Sequence, residues 1–238
     1  MTSPFHVARN IISYYERNMK WQAKTYNFPL QLRYVMGESK ADRLVVLLHG
    51  YQDNAHSTLK RLGWLDSPPP FQWLALNAPF PVPIWNADGF KEAYSWYFRD
   101  QSRGLSLVEP SLTGEAVAGL IKDLGFSSRP IVIFGFSQGG YLAPHVAKHL
   151  PNINGIVGLG CGYNHDAYVD LKPTRVRGLH GTSDERIDLE KARCEHSAVL
   201  ALGFKGSFLE IPNFTHKLDL SIEPTVRESI EKSFEEIN

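Results

Sequence analysis

The chain has 238 residues, with 25 Lys plus Arg balanced by 25 Asp plus Glu, so its formal charge is zero. That balance excludes the basic footprint of a nucleic-acid binder and the acid-rich makeup of a disordered solvating chain. With 43% hydrophobic and 21% charged residues, composition is that of a folded globular protein, and a chain of this size buries about 70% of its unfolded surface around one core.

Ser3-Pro4 reads as a cap and first-turn proline, and Phe5, Ala8, Ile12, Tyr15 and Met19 follow at helical spacing, so the first 27 or so residues are expected to form an N-terminal helical extension. Arg9, Glu16, Arg17 and Lys20 interrupt it, so it is not read as a signal peptide. No segment reaches the roughly 20 apolar residues of a bilayer span, and no stable membrane insertion is expected. Cys161 and Cys194 are too few for a disulfide framework and lack zinc spacing. A cytoplasmic protein with reduced thiols is expected.

Leu30 to Met36 alternates like a strand, and Arg43-Leu-Val-Val-Leu-Leu48 is a continuous apolar run of the kind buried on both faces of a parallel sheet. Further runs follow at Trp73–Leu76, Pro130–Phe134, Ile153–Leu159, Val176–Leu179 and Ser207–Ile211. Amphipathic stretches separate them at His56–Leu62, Ser111–Leu124, Gln138–His149, Leu189–Leu202 and Ile222–Glu236. The alternation predicts a single α/β domain over residues 1–238, with a mostly parallel central sheet covered by helices on both faces. Residues 64–98 break the rhythm with ten aromatics and six prolines, a long irregular stretch expected to lie near an active site.

Gly135-Phe-Ser137-Gln-Gly139 has the form G-x-S-x-G between a strand run and a helix. A serine there sits on a sharp strand-to-helix turn, with the helix N-terminus beside the place where an oxyanion would form. A serine hydroxyl needs a base, and the base needs an orienting acid. Strands of a parallel sheet end at one rim, so both partners are sought in loops after strands. Asp184 follows the strand ending at His180, and His216 follows the strand ending at Ile211. The order Ser137, Asp184, His216 is that of an α/β-hydrolase. His165 is the rival base, and Asp166 and Asp170 are the rival acids. His49 and His180 end strands and precede glycine, which suits shaping turns. His145 and His149 lie four apart on a helix and lack a third ligand, so a helix surface is favoured over a metal site. Backbone N–H groups of Gln138 and Tyr51 are the expected oxyanion donors, which leaves side-chain identity at 51 and 138 uncritical. Asp53 is expected to brace its loop.

Leu48-His-Gly50 with Asp53, Asn77-Ala-Pro79, Pro81-Val82, Ser95-Trp96, Gly135-Phe-Ser-Gln-Gly-Gly140, His180-Gly181 with Asp184, and His216 together resemble the phospholipase/carboxylesterase family of the α/β-hydrolases, which includes the acyl-protein thioesterases. The resemblance runs from about residue 42 to the C-terminus. It implies a carboxylesterase acting on small acyl esters or thioesters, or on lysophospholipids, with no metal or organic cofactor. Its remote alternative is a non-catalytic hydrolase-fold ligand binder. Where the family commonly reads HGLGD, this chain has His49-Gly-Tyr-Gln-Asp53, and the family's SWFD block is stretched to Ser95-Trp-Tyr-Phe-Arg-Asp100. Trp96 is the residue expected to line an acyl pocket. The N-terminal helix is read as either a homodimer contact or a lid.

Overall fold

Residues 31–37, 41–100 and 105–235 are described by a computed structural model of the chain. The expected helix over residues 1–27 lies outside them. Seven strands form the central sheet: β1 (Tyr34–Met36), β2 (Leu44–Leu48), β3 (Gln72–Leu76), β4 (Ile131–Phe136), β5 (Ile153–Leu159), β6 (Arg175–Gly181) and β7 (Lys205–Ile211), in the spatial order β1-β3-β2-β4-β5-β6-β7. All neighbours are parallel except β1, which runs antiparallel to β3. The helices are α1 (Ala55–Arg61), α2 (Pro110–Asp123), α3 (Gln138–Ala147), α4 (Leu189–Ala201) and α5 (Glu223–Phe234).

Side chains alternate across a strand, so one apolar run feeds two cores. Leu44, Val46, Leu48, Ile131 and Ile133 face Val117 and Ile121 of α2 and Leu142 and Val146 of α3. Val45, Leu47, Val132 and Phe134 face Leu59 of α1 and Val226 and Ile230 of α5. Every residue of β2 and β4 is buried, which explains why these strands lack a polar face. No helix among the described residues is long and apolar enough to cross a membrane.

Three short antiparallel ribbons stand apart from the sheet: Phe80–Pro81 with Tyr94–Ser95, Ile84–Asn86 with Gly89–Lys91, and Phe98–Asp100 with Leu105–Val108. The sequence pattern predicts only an irregular stretch here. A local signal does exist at the middle ribbon, where Ala87 and Asp88 form the two-residue turn and Gly89, directly after it, takes a positive φ of 121° that favours glycine. The aromatics of this region divide. Trp64, Phe71, Trp73 and Trp96 are buried, whereas Trp85 and Phe90 are 74% and 60% exposed.

Candidate active site

Ser137 directly follows β4 and caps α3, with φ 50° and ψ −116°. A non-glycine residue rarely occupies this region, and holding one there costs on the order of 1–3 kcal/mol. The Ser137 N–H donates to Leu159 O at 2.9 Å. The flanking glycines make the tight turn sterically feasible, since a Cβ on Gly135 would overlap the Gly139 backbone and one on Gly139 would overlap the Leu48 carbonyl.

The three loops after β4, β6 and β7 bring three side chains together. His216 Nε2 lies 3.0 Å from Ser137 Oγ, and His216 Nδ1 lies 2.8 Å from Asp184 Oδ2. A proton on Nδ1 satisfies the carboxylate and leaves Nε2 as the acceptor for the serine hydroxyl. The imidazole and carboxylate side chains are 5% and 1% exposed. Asp184 Oδ1 accepts the N–H groups of Arg186 and Ile187, both at 2.9 Å. Burial pushes the Asp184 carboxyl up, but the Ile187 N–H, the His216 ring and the Arg186 N–H outweigh it and hold the pKa below its ordinary value. Of the rivals, His165 and Asp166 pair with each other at the surface, and Asp170 is exposed and lies 3.9 Å from Lys148.

Two histidines sit behind this arrangement. His180, fully buried at the end of β6, has Nε2 3.0 Å from Ile187 O and 3.7 Å from Asp184 Oδ2, while its Nδ1 has no partner. The proton therefore belongs on Nε2. The ring braces the loop whose N–H groups hold Asp184. His49, buried at the end of β2, donates Nδ1–H to Gly50 O at 2.7 Å and accepts Ala78 N–H on Nε2 at 3.0 Å. Burial lowers its pKa to about 4, outweighing the Gly50 carbonyl and Asp53.

Tyr51 and Gln138 both line the cleft beside Ser137. Neither backbone N–H has an acceptor among the described residues. Tyr94 steadies the Tyr51 loop, accepting Gln52 N–H at 3.0 Å and donating to Asp53 O at 2.9 Å. Gln52, at the family's usual glycine position, adopts a left-handed φ of 56°. Asp53 is buried and pairs with Arg61, in line with bracing.

Two expectations are corrected. The side chain at 138, expected to be idle, is engaged: Gln138 Oε1 accepts Trp96 N–H at 3.0 Å and Nε2 donates to Tyr97 O at 2.9 Å. Trp96 does not line the cleft. It is 0% exposed, its indole N–H donates to His49 O at 2.8 Å, and its own carbonyl accepts Thr113 Oγ1–H at 2.7 Å. A buried indole needs an acceptor for its N–H, and the turned backbone of His49 provides one. The cleft, of about 900 Å³, is lined instead by Tyr97, Phe98, Arg99, Asp100, Leu105, Leu107 and Pro110, and by Asn164, Ile187, Lys191 and Glu195. Sequence reasoning missed Leu105 and Leu107, which lie in a short ribbon beyond the aromatic-rich stretch.

Among the described residues there is no cluster of three or more His, Cys, Asp or Glu suited to a metal. Cys161, buried against Gly140 behind the serine turn, has a thiol pushed up to about 12 by burial. Cys194 is exposed and free.

A parallel sheet carrying a strained serine on the strand-to-helix turn of β4, with an imidazole and a carboxylate at neighbouring strand ends, defines an α/β-hydrolase. The chain belongs to the Phospholipase/Carboxylesterase family, whose sequence profile matches residues 31–234, and is an enzyme, a serine hydrolase of esterase type. No curated protein sequence matches it significantly. Among solved structures the fold is similar to esterase PE8 (21% identity, 86% of this chain and 100% of that chain, TM-score 0.65). It is also similar to the Zea mays acyl-protein thioesterase 2 (19% identity, 84% and 98%, TM-score 0.63) and to the Bacillus cereus carboxylesterase (15% identity, 93% and 99%, TM-score 0.61).

Proposed function

We propose that this protein hydrolyses carboxylic esters of acyl chains, with Ser137 as nucleophile, His216 as general base and Asp184 as the acid that orients it. The observation that carries this reading is the run of two contacts, Ser137 Oγ to His216 Nε2 at 3.0 Å and His216 Nδ1 to Asp184 Oδ2 at 2.8 Å. His216 takes the serine proton as Oγ attacks the carbonyl carbon, and the charged Asp184 stabilises the imidazolium. Tyr51 and Gln138 N–H groups receive the oxyanion, at the start of α3, where the helix adds partial positive charge. His216 then returns the proton to the departing alcohol. A water molecule, deprotonated by the same imidazole, releases the acid and restores Ser137. The acyl chain lies against Tyr97, Phe98, Leu105 and Leu107.

Turnover of p-nitrophenyl acetate, with its complete loss in Ser137→Ala, tests the assignment. Full activity in that variant refutes it. Covalent labelling of Ser137 by a fluorophosphonate separates an enzyme from a non-catalytic acyl binder. Acyl thioesters are the second reading, favoured by the likeness to the Zea mays thioesterase fold. The same three residues would serve that reaction, and oxyester and thioester pairs of matched chain length discriminate the two.

A further inference from the structure

One side of the cleft that would take an acyl chain is built on α3. Ser137, Tyr141 and His145 follow at intervals of four residues, so they share one face of that helix, and all three line the cleft. At 1.5 Å per residue, Ser137 and His145 stand about 12 Å apart along the axis. At His145 α2 packs closely on α3: a Cβ on Gly114 would lie 2.6 Å from the His145 carbonyl carbon. Between Tyr97 and Pro110 the lining carries Phe98, Leu105 and Leu107 beside the charged Arg99 and Asp100.

His145 lies farther along α3 from Ser137 than Tyr141 does. It is half-buried, and no described residue supplies a hydrogen-bond partner to either ring nitrogen. Burial, helped by Lys148 and His149 and opposed by Glu109, lowers its pKa to about 4. At neutral pH the ring is uncharged, with one N–H donor and one lone-pair acceptor, neither of them met by a described residue. A plain hydrocarbon end placed here would leave both unsatisfied, whereas a hydroxyl can give and take a hydrogen bond.

We propose that His145 is the polar terminus of the acyl subsite and selects esters whose acyl chain carries a hydroxyl or amide group about eight to ten bonds from the reacting carbonyl, at roughly 1.2 Å of extended chain per bond. This rests on Ser137 being the nucleophile. The selectivity follows because a site built around a hydrogen-bonding group discriminates against the analogue that lacks it.

The test compares kcat/KM for p-nitrophenyl decanoate and p-nitrophenyl 10-hydroxydecanoate in the wild type, His145→Leu and His145→Gln. The wild type is expected to favour the hydroxy ester by about tenfold. His145→Leu should abolish or invert that preference, and His145→Gln, which keeps a donor and an acceptor, should retain most of it. A wild-type ratio near one overturns the inference, whatever the variants do. So does a wild-type preference that survives in His145→Leu. Acetate is too short to reach His145, so the two readings fail separately: acetate turnover persisting in Ser137→Ala removes the nucleophile, while its loss beside equal use of both decanoates removes only the polar terminus.

Discussion

The strand-end rim and the segment of three ribbons between Phe80 and Val108 are held by different means. At the rim, the placed groups follow strands of the seven-stranded sheet, and the backbone itself supplies restraints: Leu159 O on Ser137 N–H, Arg186 and Ile187 N–H on Asp184. The segment has ribbons of two to four residues, and it is tied to the rim through the Gln138 side chain and the Trp96 indole. Leu105 and Leu107, on the cleft side, are 55% and 86% exposed. The rim thus fixes chemistry to within a hydrogen-bond length, while the segment supplies a wall that can vary without disturbing it. Changes at the rim should therefore cost turnover steeply, and changes on the outer ribbon should cost almost nothing.

Ser137→Ala gives the largest expected effect, a loss of at least about 10⁵-fold in kcat on a short p-nitrophenyl ester, the order seen when a serine nucleophile is removed. Alanine keeps the Cβ, so the positive-φ turn is no more strained than before, and circular dichroism should be unchanged. Asp184→Asn should follow at about 10³–10⁴-fold, because an amide in place of the carboxylate no longer favours the imidazole tautomer that accepts from Ser137.

One step further out, His180→Leu removes the brace on Ile187 O without touching Ser137 or His216. If the rim is as stiff as its bonds imply, kcat falls by about 10²-fold, the scale of a misplacement of roughly 1 Å, with KM little changed. His180→Gln can still donate toward Ile187 O and should recover most of the rate. Equal kcat in the leucine and glutamine variants would mean that His180 fills space and positions nothing.

How far the sequence discloses each region follows the same division. The apolar runs of β2 and β4 are legible because strands buried on both faces have no polar side to confuse the pattern. Asp184 and His216 are legible because parallel strands must end at one rim. The ribbons are not, since two-residue pairings such as Phe80 with Ser95 carry no periodicity. Trp96 is misjudged for a related reason: richness in aromatics does not say which rings face a cleft, and the acceptor that buries this indole, His49 O, lies 47 residues away. His180 and His49 are readable as turn-shaping residues, but their hydrogen-bond partners emerge only when the chain is folded.

The buried histidines also set how the rim responds to acid. His49 falls from 6.5 unfolded to about 4 folded, so between these values the unfolded chain binds a proton that the folded one refuses. Stability is then fully present above pH 6.5 and is lost as pH falls toward 4, by about 3 kcal/mol from this group. The lowered pKa values of His145 and Asp184 act in the same direction. Urea unfolding at pH 7, 6, 5 and 4.5 should show a falling midpoint. A midpoint constant across that range would contradict a neutral, buried His49.

A smaller change sharpens the comparison at the loop joining the two regions. Gln52 occupies a left-handed φ of 56°, which costs a side-chain-bearing residue about 1 kcal/mol relative to glycine. Gln52→Gly relieves that strain while enlarging the freedom of the unfolded chain, which returns part of the gain. The net expectation is a rise in Tm of no more than about 2–4 °C, with ester turnover unchanged, because Gln52 N–H still donates to Tyr94 O. A drop in Tm would show that the side chain, not the backbone, holds the loop.

The smallest effect belongs to the outermost ribbon. Trp85 and Phe90 pack on each other with ring centroids 5.4 Å apart, and both remain mostly exposed. Neither lines the cleft. Trp85→Ser should therefore shift stability by no more than about 0.5 kcal/mol, as surface substitutions do, and leave kcat and KM for a soluble short-chain ester unaltered. A tenfold loss of kcat in Trp85→Ser would break the division, because the ties that hold the ribbons to the rim would then carry rate as well as shape.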